Sequence, residues 1–187
     1  MSYTELFTVN KKGDIESHSI FSNSHLGAAL IWNIIANKYY QTNYYHIQDL
    51  DNPEAKFWKL AYQEDIPIYI KMVLFSTYDE IIIQKEDFPL LIQSFKEFYD
   101  KEFTEIDKEN RNTGHLLEYI ETIEKLISKR NILGIAWNQT SVNCNPWIYE
   151  TEIEEDIENN IEYEYLNEPY NIFKGTKHSF VPLKVKT

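Results

Sequence analysis

The chain has 187 residues, 43% of them hydrophobic, with 30 Asp and Glu against 18 Lys and Arg, for a net charge of −12. A chain this long buries roughly 70% of its unfolded surface, so it needs neither a disulfide nor a metal to hold a core. One cysteine rules out a disulfide framework and any multi-cysteine zinc or iron–sulfur site. The negative charge opposes phosphate-backbone binding, and no apolar run approaches the roughly 18 residues of a membrane span.

In chain order, Thr4–Val9, the turn residues Asn10-Lys11-Lys12-Gly13-Asp14 and the return through Ile15, Ile20 and Phe21 predict a hairpin. Asn23 or Ser24 then offers a helix cap, and 24–40 reads as a helix apolar almost all round, hence buried and central. Leu30, Ile34 and Ile35 are its expected core residues, and His25, Asn33 and Asn37 its polar line. Tyr39–Tyr45 reads as a tyrosine-rich loop. Pro53 suits the first turn of a second helix, in which Phe57/Ala61 and Trp58/Tyr62 form a stripe.

After Pro67, the dense apolar run Ile68–Ser76 and the stretch Glu80–Gln84 read as strands by length and β-branching. Phe88, Ile92, Phe95, Tyr99 and Phe103 recur at helical spacing over 86–103, as do Leu116, Ile120, Ile123 and Ile127 over 114–129. The charged link Glu105–Thr113 reads as a loop. Ile132–Trp137 is continuously apolar, which suits a central strand. From Tyr149 the apolar residues Tyr149, Ile153, Ile157 and Ile161 come every fourth position between acids. That pattern predicts an acidic amphipathic helix, followed by a short edge strand within Ile161–Leu166. The sum is a single α+β domain over 1–187, a mostly antiparallel sheet of four to six strands with about five helices. It carries an acidic segment near 150–168 and a short basic tail at 174–187.

Two places carry functional expectations. Residues 131–173 hold nine acids and no Lys or Arg, whereas 174–187 hold four lysines and no acid. Glu152, Glu154, Glu155 and Glu158, with Tyr163 and Tyr165, would form a partner-binding surface. The charge would steer a basic protein and the aromatic rings would hold it. The bland reading is a solvated helix face over an isoleucine stripe. The second place is the polar cluster after the apolar strand. Trp137, Asn138, Thr140, Ser141 and Trp147 form a possible ligand pocket, set against a simple turn whose side chains satisfy local backbone.

Other chemistry finds little support in the sequence. Cys144 has no adjacent base, and the five histidines (18, 25, 46, 115, 178) follow no ligand spacing. Asp49 and Asp51 match no calcium loop, and no glycine-rich phosphate loop or GxSxG motif is present. No catalytic residue, metal or cofactor is therefore assigned. The opening MSYTELFTVNKKGD lacks a basic stretch followed by an apolar one, so a cytoplasmic location is expected.

Usage of 24 Ile against 6 Ala, and 16 Lys against 2 Arg, has the bias of an AT-rich genome. The stretches ELFTVNKKGDIESHSIFSNSHLGAALIWNIIANKY at 5–39, LFSTYDEIIIQKEDF at 74–88 and WNQTSVNCNPW at 137–147 resemble small, acidic, uncharacterised phage and prophage proteins. The resemblance implies a mobile-element setting and assigns no functional residue. The expected function is a non-enzymatic accessory protein that binds a basic protein partner, in its sharpest form an inhibitor of a nucleic-acid-handling or defence protein. The alternatives are a small enzyme or ligand-binding domain sited around Trp137–Trp147, and an immunity protein against a basic toxin. Oligomeric state is left open.

Overall fold

The structure is a computed structural model that describes residues 3–12, 14–23, 27–44, 60, 63–77, 82–139, 148–150 and 163–165. The chain runs β1 (Tyr3–Asn10), β2 (Ile15–Ser22), α1 (Ala28–Tyr40), α2 (Ile68–Thr77), β3 (Ile82–Gln84), a 3-10 turn (Lys85–Asp87), α3 (Phe88–Glu102), α4 (Glu105–Glu109), α5 (Leu116–Ile127), β4 (Ile132–Gln139), β5 (Ile148–Glu150) and β6 (Tyr163–Tyr165). Strands β2-β1-β4-β3 form a four-stranded sheet in that order, with every neighbouring pair antiparallel. With five helices this is the α+β architecture the sequence predicts. Strands β5 and β6 pair antiparallel with each other.

The predicted hairpin forms, and Asn10 fixes its turn. The Asn10 side-chain oxygen accepts from the Lys12 and Asp14 backbone N–H groups at 2.8 and 3.0 Å. This is the local capture that favours Asn in turns. In the register, Leu6 lies opposite Trp137, Thr8 opposite Ile135, and Ile83 opposite Ile135. Directly opposed residues share a face. Leu6, Ile83, Ile135 and Trp137 therefore form one apolar sheet face, and it enters the same core as α1, α2, α3 and α5.

Helix α2 corrects the strand reading of Ile68–Ser76. The Pro67 carbonyl accepts from the Ile70 and Lys71 N–H groups at 3.1 and 3.2 Å, which opens a helical turn. The segment lacks a periodic stripe because every side is covered, with Tyr69 through Leu74, Ser76 and Thr77 all buried. A short, mostly apolar run suits a buried helix as well as a buried strand. The hydroxyls of Ser76 and Thr77 are satisfied within the helix, donating to the Val73 carbonyl at 3.2 and 2.8 Å. Lys71 is buried along its stem, and burial lowers its pKa, an effect that Asp65 and Glu64 oppose.

Three further readings change. The expected loop at 105–113 contains α4, built on a capping box. Thr104 Oγ1 accepts from the Asp107 N–H at 3.2 Å, and the Asp107 carboxylate accepts from the Thr104 N–H at 3.0 Å. Helix α1 starts after Gly27 rather than at a cap on Asn23 or Ser24. Asn23 instead accepts from the Thr4 hydroxyl at 2.8 Å. Residues 149 and 150 lie in β5 rather than in a helix beginning at Tyr149, and 151–162 lie outside the described residues. The expected helix after Pro53 also lies outside them, apart from Leu60, which is buried.

Gly114 has a backbone reason to be glycine. Its φ is +59°, and a Cβ there would stand 2.8 Å from the Gly27 carbonyl oxygen. The loop before α5 thus approaches the start of α1 at backbone distance.

Candidate functional site

Helix α1 is two-faced. Ile31, Trp32, Ile35 and Ala36 enter the core, while Leu30 and Ile34 are only half-buried. The expectation of Leu30 and Ile34 as full core residues is corrected accordingly; Ile35 is wholly buried. At i, i+4 spacing, Leu30, Ile34 and Lys38 line one stripe of the helix. That stripe forms one wall of a cleft of about 360 Å3, lined also by Asn37, Glu102, Phe103, Thr104 and Asp107.

The opposite wall follows from the end of α3. Phe103 is extended (φ −91°, ψ 136°) and buried. The chain therefore turns sharply, and Thr104 restarts it as α4. The capping box fixes the Asp107 carboxylate at the rim, where the Thr104 hydroxyl and N–H both donate to Oδ2, at 2.6 and 3.0 Å. These two bonds to the charged form hold the Asp107 pKa below its ordinary value, so the group is an anion at neutral pH.

Glu102 is the centre of the cleft's polar network. Its side chain is 9% exposed, and its Oε1 pairs with Lys38 Nζ at 2.5 Å and accepts from Tyr69 Oη at 2.6 Å. Burial raises the Tyr69 pKa, and the hydrogen bond and charge of Glu102 raise it further. Tyr39 is raised in the same direction by burial and by Glu102 and Asp65. Lys101 stands 5.1 Å above the Tyr69 ring. Both phenols are therefore neutral at neutral pH, able to donate a hydrogen bond.

The sequence-predicted residues fall elsewhere. Trp137 is fully buried in β4, with its ring edge-on to Phe95 (centroids 6.1 Å) and Tyr119 (5.7 Å). Among the described residues its indole Nε1 is enclosed without a hydrogen-bond partner. Asn138 follows in β4, opposite Glu5. Thr140, Ser141 and Trp147 lie outside the described residues, as do Cys144, Asp49, Asp51, Glu152, Glu154, Glu155, Glu158 and the histidines 25, 46 and 178. Tyr163 and Tyr165 are placed in β6. The register sets Glu150 opposite Tyr163, Tyr149 opposite Glu164, and Ile148 opposite Tyr165. Of the tyrosine loop, Tyr39 and Tyr40 end α1, and Tyr44 packs edge-on to Trp32 at 5.1 Å. The Tyr44 N–H donates to Asn33 Oδ1 at 3.0 Å, so the predicted polar line of α1 includes a structural anchor.

Sequence reasoning missed Lys38, Tyr69, Glu102 and Asp107. A signal for Asp107 exists in Thr104-Glu105-Ile106-Asp107, a capping-box spacing with Asp at the third position. Nothing in sequence spacing links Lys38, Tyr69 and Glu102, because three separate helices bring them together.

Among the described residues no three His, Cys, Asp or Glu side chains are grouped to hold a metal ion, and no helix is long and apolar enough to cross a membrane. No family model, curated protein or solved structure matches this chain.

Proposed function

We propose that the chain is a phage-type accessory protein of the cytoplasm that acts by binding, without chemistry of its own. Its partner is a protein with a basic surface, and a nucleic-acid-handling or defence protein that it inhibits is the sharpest form of that partner. The observation that carries the reading is the run from 131 to 173, with nine acids and no base in a chain already at −12. The register of β5 and β6 supports it further. Acidic and aromatic positions stand opposite each other there, so no two acids are directly opposed in the ladder. Acids so placed accelerate encounter with a cationic surface, and tyrosines contribute the held contacts.

The experiment begins with a pull-down from the source cell, followed by association kinetics with the purified partner. The triple change Glu152→Gln, Glu154→Gln, Glu155→Gln is expected to lower the on-rate and flatten its salt dependence. Tyr163→Ala is expected to raise the off-rate instead. An unchanged on-rate for the triple variant at low salt, where screening is weakest, would overturn the reading.

A further inference from the structure

We propose that the α1–α3–α4 cleft is a receptor for a lysine side chain projecting from a partner protein. This goes beyond the acidic-segment reading and does not depend on it, because every residue it uses lies between 30 and 107.

The cleft has the parts such a guest needs. Leu30, Ile34 and Phe103 supply apolar wall for an aliphatic stem. Two carboxylates, Glu102 and Asp107, line the same space against one internal cation, Lys38, leaving the cleft with a net negative charge. Each carboxylate has one oxygen already engaged. Glu102 Oε1 takes Lys38 and Tyr69, and Asp107 Oδ2 takes both Thr104 donors. Among the described residues, Glu102 Oε2 and Asp107 Oδ1 make no hydrogen bond.

That pattern favours lysine over arginine. A guanidinium fork is best matched by both oxygens of one carboxylate. Here each carboxylate offers a single oxygen, so the paired match of a guanidinium fork is missing, whereas each donor of a compact ammonium needs only one acceptor. The volume, about 360 Å3, exceeds what one side chain fills. Asn37, Lys38 and Thr104 at the rim are exposed, so the cleft is open at its mouth. An open mouth suits a side chain entering from another surface rather than a free molecule enclosed on all sides. Lys38 itself shows that Glu102 accepts an ammonium at this place.

The test is an NMR amide titration of the full chain with Nα-acetyl-lysine amide. Nα-acetyl-norleucine amide serves as the uncharged isostere and cadaverine as the free amine. The lysine amide is expected to shift the amides of Leu30, Ile34, Asn37 and residues 102–107 with an affinity on the order of millimolar. Added salt should weaken it, and the norleucine amide should bind roughly three- to fivefold more weakly, the range for one exposed ion pair. Lys38→Met removes the internal competitor for Glu102 and is expected to tighten lysine amide binding by about the same factor. Asp107→Asn keeps an oxygen for the Thr104 donors, removes the charge and is expected to weaken binding. Equal binding of the lysine and norleucine amides would overturn the proposal, as would an affinity that Lys38→Met leaves unchanged or lowers. Shifts mapping outside the cleft, or no shifts, would also overturn it. Tighter binding of cadaverine than of the lysine amide would replace the partner side chain with a free diamine.

Discussion

Thr77→Val tests the packing of α2 at a single buried atom. Thr77 Oγ1 accepts from Trp32 Nε1 at 2.7 Å and donates to the Val73 carbonyl at 2.8 Å. Trp32 is 1% exposed and Thr77 wholly buried, so no water substitutes for either group. Valine keeps the branched shape and removes only the hydroxyl. The Val73 carbonyl still accepts from Ser76, but the indole N–H loses the Thr77 hydroxyl as its acceptor. Removing one partner of a buried hydrogen bond costs about 1–3 kcal/mol. With a urea m-value of roughly 2–3 kcal/mol/M for a chain of this size, the midpoint should fall by about 0.5–1 M. Urea unfolding followed by far-UV circular dichroism measures it. On a Trp32→Phe background the donor is already gone, so Thr77→Val should cost about 1 kcal/mol less there than in the wild type. An unchanged midpoint, or equal losses on both backgrounds, would refute the assignment of α2 and its contact with α1.

Further predictions concern α1 and the phenols. Ile35→Ala should cost about 2–5 kcal/mol, the range for truncating a packed aliphatic side chain, and Leu30→Ala distinctly less because Leu30 is half-buried; chemical denaturation of the pair checks the order. Tyr69 and Tyr119 both titrate above the ordinary phenol value of 10.0, chiefly through burial, so the folded chain retains protons that the unfolded chain releases. Stability should therefore be flat in this respect below pH 10 and fall as pH rises past it, as urea midpoints across that range would show. Glu102→Gln removes a charged acceptor and should bring the Tyr69 titration down toward its ordinary range, read by ultraviolet absorbance of the phenolate.

What could be read from the sequence divides along physical lines. Helices α3 and α5 were legible because each has one buried face, as with Phe88, Leu91, Ile92, Phe95 and Phe98 in α3. The hairpin was legible because its turn chemistry is local, held between Asn10 and the residues up to Asp14. Helix α2 was misread for the opposite reason, since burial on all sides erases periodicity and leaves β-branching to mislead. Helix α4 is short and solvated, so its only signal was the capping spacing at Thr104 and Asp107. The cleft was not legible at all. Its walls come from residues 30–38 and 102–107, and its polar centre adds Tyr69 from α2.

Parity in β4 carries a last prediction that pattern reading would have reversed. Strict alternation back from Ile135 and Trp137 would put Leu133 on the core face and Ile132 outside. The register instead slips between Val9 and Asn10, so Val9 lies opposite Gly134 while Asn10 lies opposite Ile132. Leu133 is the extra residue of a β-bulge, which shifts the following parity by one. Thr8 and Asn10 share a face of β1, so Ile132 joins Ile135 on the core face. The burial agrees, with Ile132 9% exposed and Leu133 46%. A leucine of equal size but greater exposure thus matters less than its neighbour. Ile132→Ala should cost about 2 kcal/mol or more, and Leu133→Ala less than about 1 kcal/mol, because truncating a half-exposed chain removes little area from the core. Urea midpoints of the two variants decide it. A greater loss for Leu133→Ala would mean the strand runs without the bulge, and the pairing of Asn10 with Ile132 would then be wrong.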